Sequence, residues 1–179
     1  MTKNNIVPRD EEINFDPDEI IVSKTDTKGR IIYANDVFCR VAEMSTSDVI
    51  GQPHNIIRHP DMPRAVFKLL WERLLSKKEI FAYVKNMSLT GKYYWVIAHV
   101  TPSFGSDGTL AGFHSNRRVP SPQAIADIRP LYQDLLRIEQ ENTDPKAGLL
   151  ESATFLEKAT QDIGQSYDEF VWSKEASHV

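Results

Sequence analysis

The sequence contains a single cysteine, Cys39, in 179 residues, which excludes an internal disulfide and a cysteine-based metal site. No apolar run approaches the roughly 20 residues that a membrane-spanning helix needs. Lys and Arg number 21 against 25 Asp and Glu, so no basic excess points to nucleic acid as a partner. The acidic N-terminus, MTKNNIVPRDEEINFDPDE, is unlike a signal peptide. We therefore expect a cytoplasmic protein without direct membrane insertion.

Sequence motifs of enzymes are also missing. The chain has no nucleophile elbow, no phosphate-binding glycine loop and no His/Asp cluster with metal-ligand spacing. We therefore expect neither catalysis nor a metal site. With 41% hydrophobic and 26% charged residues, the composition is typical of a globular protein.

The first half of the sequence alternates short strand and helix patterns. Two β-branched runs, at 20–23 and 30–33, flank a turn that ends in Gly29, where glycine tolerates a positive φ. Short helices are predicted over 36–42 and 45–50. A longer helix over 61–75 follows, with Asp61 as its N-cap and apolar residues at three- and four-residue spacing.

Three strand patterns come next, at 80–87, 93–102 and 109–118, and they are rich in aromatic and β-branched residues. This order predicts an α+β fold, with a five-stranded antiparallel sheet and short helices on one face.

The two ends of the chain differ from this central domain, which we place at 19–120. Residues 1–18 are polar and are predicted to form a mobile arm or a cap. Residues 121–179 are predicted to form a C-terminal extension of two amphipathic helices, the first capped by Ser121. Their apolar faces have three candidate positions: the domain's own sheet, a partner protein, or a second copy in a homodimer.

Residues 51–63 stand out as GQPHNIIRHPDMP, with three prolines, two histidines and an arginine. Together with Trp71, YVKN at 83–86 and YYWV at 93–96, this stretch resembles the PAS domain of the Aer-type aerotaxis receptors. The resemblance covers about residues 18–132, including IRPLY at the end of that range.

The resemblance implies a PAS fold that binds FAD and senses redox state or oxygen. It also implies a separate signalling partner, such as a membrane chemoreceptor, because the chain to Val179 shows no membrane segment or long signalling coiled coil. One position departs from the family: Ile80 stands where a tryptophan commonly lies against the flavin.

Several side chains suit a flavin nucleotide. Arg58 provides a permanently charged fork for a phosphate or a ring carbonyl, and the first turn of the 61–75 helix provides N–H groups. Asn35 and Asn86 are amides on or beside strands, where amides are uncommon, and they suit the polar edge of the ring. The cofactor-binding residues we expect are Asn35, His54, Arg58, His59, Asp61, Trp71, Asn86, Trp95 and Arg117.

Several candidates also have a purely structural interpretation. Asn35 suits the end of a strand, Asp61 suits a helix cap, the tryptophans suit the core, and Arg117 suits an exposed strand edge.

Two other functions remain as alternatives. Haem b is one, since His54, His59, His99 and His114 are each potential ligands of an iron and a single ligand has no spacing rule. A cofactor-free PAS interaction module is the other. A light-sensing flavin domain is excluded, because the HNIIRHP segment lacks the cysteine that such domains need.

Overall fold

The computed structural model of the protein describes residues 6–162 and 164–176. Its centre is one antiparallel sheet with strand order β2-β1-β5-β4-β3, which confirms the predicted α+β fold. The strands are β1 (Ile21–Thr25), β2 (Ile31–Ala34), β3 (Ile80–Met87), β4 (Tyr93–Phe104) and β5 (Leu110–Arg118).

One face of the sheet is covered by the helices that follow β2. These are α1 (Asp36–Ala42), α2 (Thr46–Val49), a 3-10 helix (His54–Ile57) and α3 (Arg64–Leu75). Side chains alternate between the two faces of each strand, so every second residue of β3, β4 and β5 faces these helices. The turn between β1 and β2 has Gly29 at a φ of 75°, which confirms the positive φ expected there.

The opposite face is covered by the C-terminal region, which contains three helices in its described residues rather than the two expected. They are α4 (Pro122–Glu141), α5 (Pro145–Gln161) and α6 (Tyr167–Ala176). The chain turns between α5 and α6 at Gly164, whose φ is 70°. Tyr132 Oη donates to the Tyr83 carbonyl over 2.7 Å, and Tyr83 Oη donates to the Val171 carbonyl over 3.1 Å. Both α4 and α6 therefore pack on the domain's own sheet.

The outer edge of β3 is protected by groups from other elements. The Phe81 N–H donates to Asp168 Oδ1 over 3.0 Å, and the Lys85 N–H donates to Met62 Sδ over 3.1 Å. The Lys85 carbonyl accepts from the His59 N–H over 3.3 Å. Covering an edge in this way prevents pairing with a strand of another chain.

The N-terminal segment lies against the β3–β4 turn. Arg9 N–H donates to the Gly91 carbonyl over 2.8 Å, and Ile13 N–H donates to the Tyr93 carbonyl over 2.8 Å. A side chain at Gly91 would collide with this segment, because its Cβ would lie 2.1 Å from the Val7 carbonyl oxygen. Residues 6–18 therefore run as a cap on this turn, and residues 1–5 of the predicted arm lie outside the described residues.

The first turn of α3 corrects two expectations. The helix begins at Arg64 after Pro63, so Asp61 is not its N-cap. The backbone N–H groups of Arg64 and Ala65 both donate to the carboxylate of Glu139 in α4, each over 2.9 Å. Arg64 Nε adds a third hydrogen bond to this carboxylate over 3.1 Å, and Ser152 Oγ of α5 adds a fourth over 3.1 Å. N–H groups expected to be open to a phosphate are therefore already bonded.

Replacing Glu139 with Gln should lower the free energy of unfolding by about 1–3 kcal/mol, because an amide offers only one oxygen to donors that a carboxylate accepts with two. Chemical denaturation measures this change. Glu141→Gln is the matched control: Glu141 is an exposed carboxylate of the same helix, and its replacement should change stability by less than about 0.5 kcal/mol. Equal losses in the two variants would contradict the role of Glu139.

Candidate functional site

The candidate site is a cavity of about 180 Å³ between the sheet and α3. Its floor consists of alternate residues of β1, β3, β4 and β5, and its roof consists of α3 and the 3-10 helix. Lys28, Pro53 and Asn55 are the exposed residues of the lining, so the cavity opens to solvent between the β1–β2 turn and the 3-10 helix.

The apolar part of the lining is largely the wall formed by α3. Phe67, Leu70, Trp71 and Leu74 recur at three- and four-residue spacing, which places them on one side of the helix. Trp71 packs edge-on against Phe113 of β5, with 5.4 Å between ring centroids. A Cβ at Gly29 would lie 3.1 Å from the Trp71 ring, so the glycine turn leaves space for the tryptophan.

The polar part of the lining has unsatisfied hydrogen-bonding capacity. Within the described residues, four of its buried atoms have no hydrogen-bond partner: Arg58 Nε, Asn86 Nδ2, Ser115 Oγ and Arg117 Nη1. Buried polar atoms are normally paired, because leaving one unpaired costs on the order of 1–3 kcal/mol. Three of these atoms are obligate donors and the fourth, a hydroxyl, both donates and accepts. The cavity is therefore suited to a ligand that carries hydrogen-bond acceptors.

Arg117 occupies the centre of this polar part. It lies on β5, a central strand, and only 4% of its surface is exposed, so it is not an exposed edge arginine. Its Nη2 donates to Ser23 Oγ over 3.1 Å and to His54 Nε2 over 2.6 Å. A guanidinium can only donate, so His54 Nε2 is an acceptor and the neutral imidazole carries its proton on Nδ1.

The pKa values of this network follow from its burial. Burial, reinforced by the cations of Arg117 and Arg58, lowers the pKa of His54 well below its usual value. Burial also lowers the pKa of Arg117 to about 10, which leaves the guanidinium charged at neutral pH. A neutral histidine and a charged arginine are thus held side by side.

Arg58 adds a second cation to the lining. Its guanidinium lies 3.5 Å from the centroid of the Phe67 ring, and burial lowers its pKa. Lys28 contributes a third positive charge at the mouth, and none of the lining residues in the described chain is an aspartate or glutamate. The cavity consequently has a positive potential, which favours an electron-rich or anionic ligand.

Five of the nine predicted site residues come together here: His54, Arg58, Trp71, Asn86 and Arg117. The structure does not bring the other four to the cavity lining, for separate physical reasons.

Asn35 and Trp95 have structural positions. Asn35 is the N-cap of α1: its Oδ1 accepts from the N–H groups of Val22 and Phe38, each over 3.0 Å. Trp95 lies on the opposite face of the sheet, where its ring is 6.3 Å from that of Tyr132. Residues 94 and 96 face the core, so alternation along β4 turns Trp95 away.

His59 and Asp61 also lie outside the lining. Nδ1 of the buried His59 accepts from the Asp61 N–H over 3.1 Å. The Asp61 carboxylate instead forms an ion pair with Lys85 Nζ over 2.7 Å at the surface. Both residues thus fasten the segment before α3 to β3.

Ser23 and Ser115 belong to the cavity but were not predicted from the sequence. Ser115 lies between Phe113 and Arg117 at two-residue spacing, which places all three on one face of β5. The two-residue spacing from Arg117 is therefore a sequence signal that could have identified Ser115. Ile80, at the position of the expected tryptophan, is fully buried in the core opposite Val100, which does line the cavity.

Only His54 of the four candidate haem ligands lines the cavity. Its Nε2 accepts from Arg117, and two cations near its ring disfavour a metal ion at that position. His99 stacks on Phe81 with 4.1 Å between centroids and bonds to Glu79, both on the other face of the sheet. The donor set thus does not fit haem.

Comparison with known proteins agrees with this architecture. The family model described as the PAS fold matches residues 20–116, more than half of the chain. The chain belongs to the PAS family. The matched range contains β1 to β4, most of β5 and four of the five predicted residues that line the cavity. Arg117 lies one residue beyond it.

Two relatives are similar to part of this chain. The aerotaxis receptor of Escherichia coli (strain K12) is 37% identical over 118 residues, which cover 66% of this chain and 23% of that protein. A nitrogen fixation regulatory protein of Klebsiella oxytoca is 27% identical over 99 residues, which cover 55% of this chain and 20% of that protein. The chain thus matches less than a quarter of the length of these relatives.

Solved structures of PAS domains share the fold. A light-oxygen-voltage domain studied with a flavin analogue gives a TM-score of 0.55 at 13% identity, and covers 64% of this chain and 86% of that one. The light-state structure of the Aureochrome1 LOV domain gives a TM-score of 0.51 at 18% identity, and covers 66% and 90%. At these identities the comparison establishes the fold.

The helices outside the PAS domain are not membrane spans. None of the helices in the described part of the chain combines the length and apolar character that crossing a bilayer requires.

The neutral state of His54 makes stability dependent on pH. Its pKa is lower in the folded protein than in the unfolded chain, where it is about 6.5. Below that pH the unfolded chain binds a proton that the folded protein does not. The free energy of unfolding should therefore fall by up to about 1.4 kcal/mol per pH unit below 6.5.

Denaturation curves of the wild type and His54→Gln between pH 7 and pH 5 test this expectation. The variant should have the flatter profile, while Asn116→Ala, a change at an exposed side chain of β5 that does not titrate, should keep the wild-type slope. Parallel profiles for wild type and His54→Gln would show that His54 does not cause the pH dependence.

Proposed function

We propose that this PAS domain binds a flavin nucleotide, FAD, and reports redox state or oxygen to a signalling partner. The observation that carries the proposal is the set of four unpaired, buried polar atoms that line a cavity with positive potential. The similarity to an aerotaxis receptor supports the same interpretation. His54, Arg58, Trp71 and Asn86, which belong to the motifs that resemble that family, line the cavity.

The residues of the lining fit an isoalloxazine ring. Asn86, Ser115 and Arg117 would donate hydrogen bonds to nitrogen and carbonyl acceptors of the ring, because each has an unpaired buried donor in the cavity lining. Trp71 and the other apolar side chains of α3 would cover the ring face. Arg58 is the cation suited to the remaining polar edge or to the nucleotide phosphates.

A bound flavin supplies reversible oxidation and reduction at the ring. The buried guanidinium of Arg117 favours added negative charge beside it, and neutral His54 holds that guanidinium in place. A change of charge in the cavity therefore changes the hydrogen bonds of Arg117 and Asn86, which is a signal rather than substrate turnover. We expect the partner to be a membrane chemoreceptor or another signalling protein, as in energy taxis.

A cofactor-free interaction module is the second candidate. It is favoured by the cavity volume of about 180 Å³, which is below the range of about 300–1,000 Å³ common for small-molecule sites.

The absorption spectrum of the purified protein, recorded before and after dithionite, distinguishes the candidates. Flavin bands that bleach on reduction are expected from the proposal. A Soret band would assign haem instead. A colourless protein, after attempted reconstitution with FAD and with haem, would assign the interaction module.

Asn86→Ala should weaken flavin binding about 10- to 100-fold, because it removes a donor to the ring and a loss of 1.4 kcal/mol corresponds to tenfold in affinity. Titration of apoprotein with FAD, followed by flavin fluorescence, measures the dissociation constant. Asn116→Ala is the matched control, since Asn116 is an exposed amide of β5 outside the cavity lining and should be neutral. Unchanged affinity for Asn86→Ala would remove Asn86 from the site.

A further inference from the structure

The cavity wall helix, α3, is held at both ends by acids of the C-terminal helices. At its N-terminus, Glu139 of α4 accepts hydrogen bonds from Arg64 and Ala65. In its last turn, Arg73 forms an ion pair with Asp168 of α6, which also accepts from the Phe81 N–H over 3.0 Å. Both ends of this cavity wall are therefore joined to the C-terminal helices by carboxylates.

The Glu139 contact is the stronger of the two. Its side chain is only 5% exposed, and its four donors come from α3 and α5. A buried carboxylate that loses its donors is strongly destabilised, so Glu139 and the first turn of α3 must move together or separate at high cost. Ser152 continues the contact into α5, whose own side chains do not reach the cavity.

The negative charge of Glu139 also interacts with a cation of the cavity lining. Arg58, which lines the cavity, lies over Phe67 of α3, and the negative charge of Glu139 raises the pKa of the Arg58 guanidinium against the effect of burial. An electron-rich ligand beside Arg58 would interact with the same positive charge. Occupancy of the cavity is therefore linked to the Glu139 contact through packing along α3 and through charge.

We infer that Glu139 is a positioning residue that transmits the state of the cavity to the C-terminal helices, with Asp168 as a second attachment at the other end of α3. This inference rests on the proposed flavin binding for the identity of the ligand. It answers where a signal leaves the PAS domain: through the wall helix and its carboxylate contacts to α4, α5 and α6.

Hydrogen–deuterium exchange of the full chain, with and without FAD, tests the inference. In the wild type, FAD should slow exchange in 145–161 and 167–176 by about fivefold or more, the lower end of typical coupling between sites. In Glu139→Gln the slowing should remain at the cavity and disappear from 145–161. The matched control Glu141→Gln should behave as the wild type.

Unchanged exchange of the C-terminal helices in flavin-bound wild type would overturn the inference. The inference would also be overturned if FAD slowed exchange in 145–161 of Glu139→Gln as much as in the wild type. If Glu139→Gln folds poorly, Ser152→Ala removes one of the four hydrogen bonds and should reduce the slowing in 145–161 alone.

The absorbance of bound flavin in each exchange sample shows whether the ligand is present, and if the wild type binds none, the proposed function fails.

A double-mutant cycle on unfolding needs no flavin, so it tests the coupling separately from the proposed function. Glu139→Gln and Leu70→Ala, a change in the cavity wall, should be non-additive by about twofold or more in the unfolding constant. Additivity, as expected for Glu141→Gln with Leu70→Ala, would overturn the coupling.

Discussion

The position of α3, and with it the cavity, depends on the buried carboxylate of Glu139. An α-helix begins with backbone N–H groups that have no partner within the helix, and in α3 they would be buried beside the sheet. Glu139 accepts hydrogen bonds from two of them. Its negative charge also interacts favourably with the positive end of the helix dipole. The position of α3 sets the roof of the cavity, so the cavity depends on a residue from outside the matched PAS region.

Positive charge without a carboxylate in the cavity lining is the second constraint. Arg58 and Arg117 are buried or half-buried in the lining, and burying a charge without a counter-ion is costly. The protein reduces this cost by local means: Phe67 lies against Arg58, and His54 and Ser23 accept from Arg117. These contacts leave one nitrogen of each guanidinium unpaired. Unpaired buried donors that line a cavity are characteristic of a binding site.

Asn35 and Asn86 show how far prediction of the site from sequence extends. Both are amides at strand positions, and both suited a flavin edge. Asn35 uses its side chain to join β1 to α1, whereas the Nδ2 of Asn86 is buried and unpaired in the cavity. The residue types are equal, but Asn35 lies between β2 and α1, where it caps the helix, whereas Asn86 lies within β3. That Asn86 Nδ2 stays unpaired in a cavity depends on distant segments, and that information is not contained in a local pattern.

Local chemistry in the sequence by itself determined the elements. A glycine that allows positive φ produced the β1–β2 turn, three- and four-residue spacing produced α3, and β-branched and aromatic runs produced the five strands. Only the tertiary structure decided that Arg117 is buried, that Trp95 faces away from the cavity, and that Glu139 caps a helix beginning 75 residues earlier. The physical reason is range: propensities and turns act between neighbours in the chain. Burial and the pairing of charges depend on which faces meet when the sheet is covered on both sides.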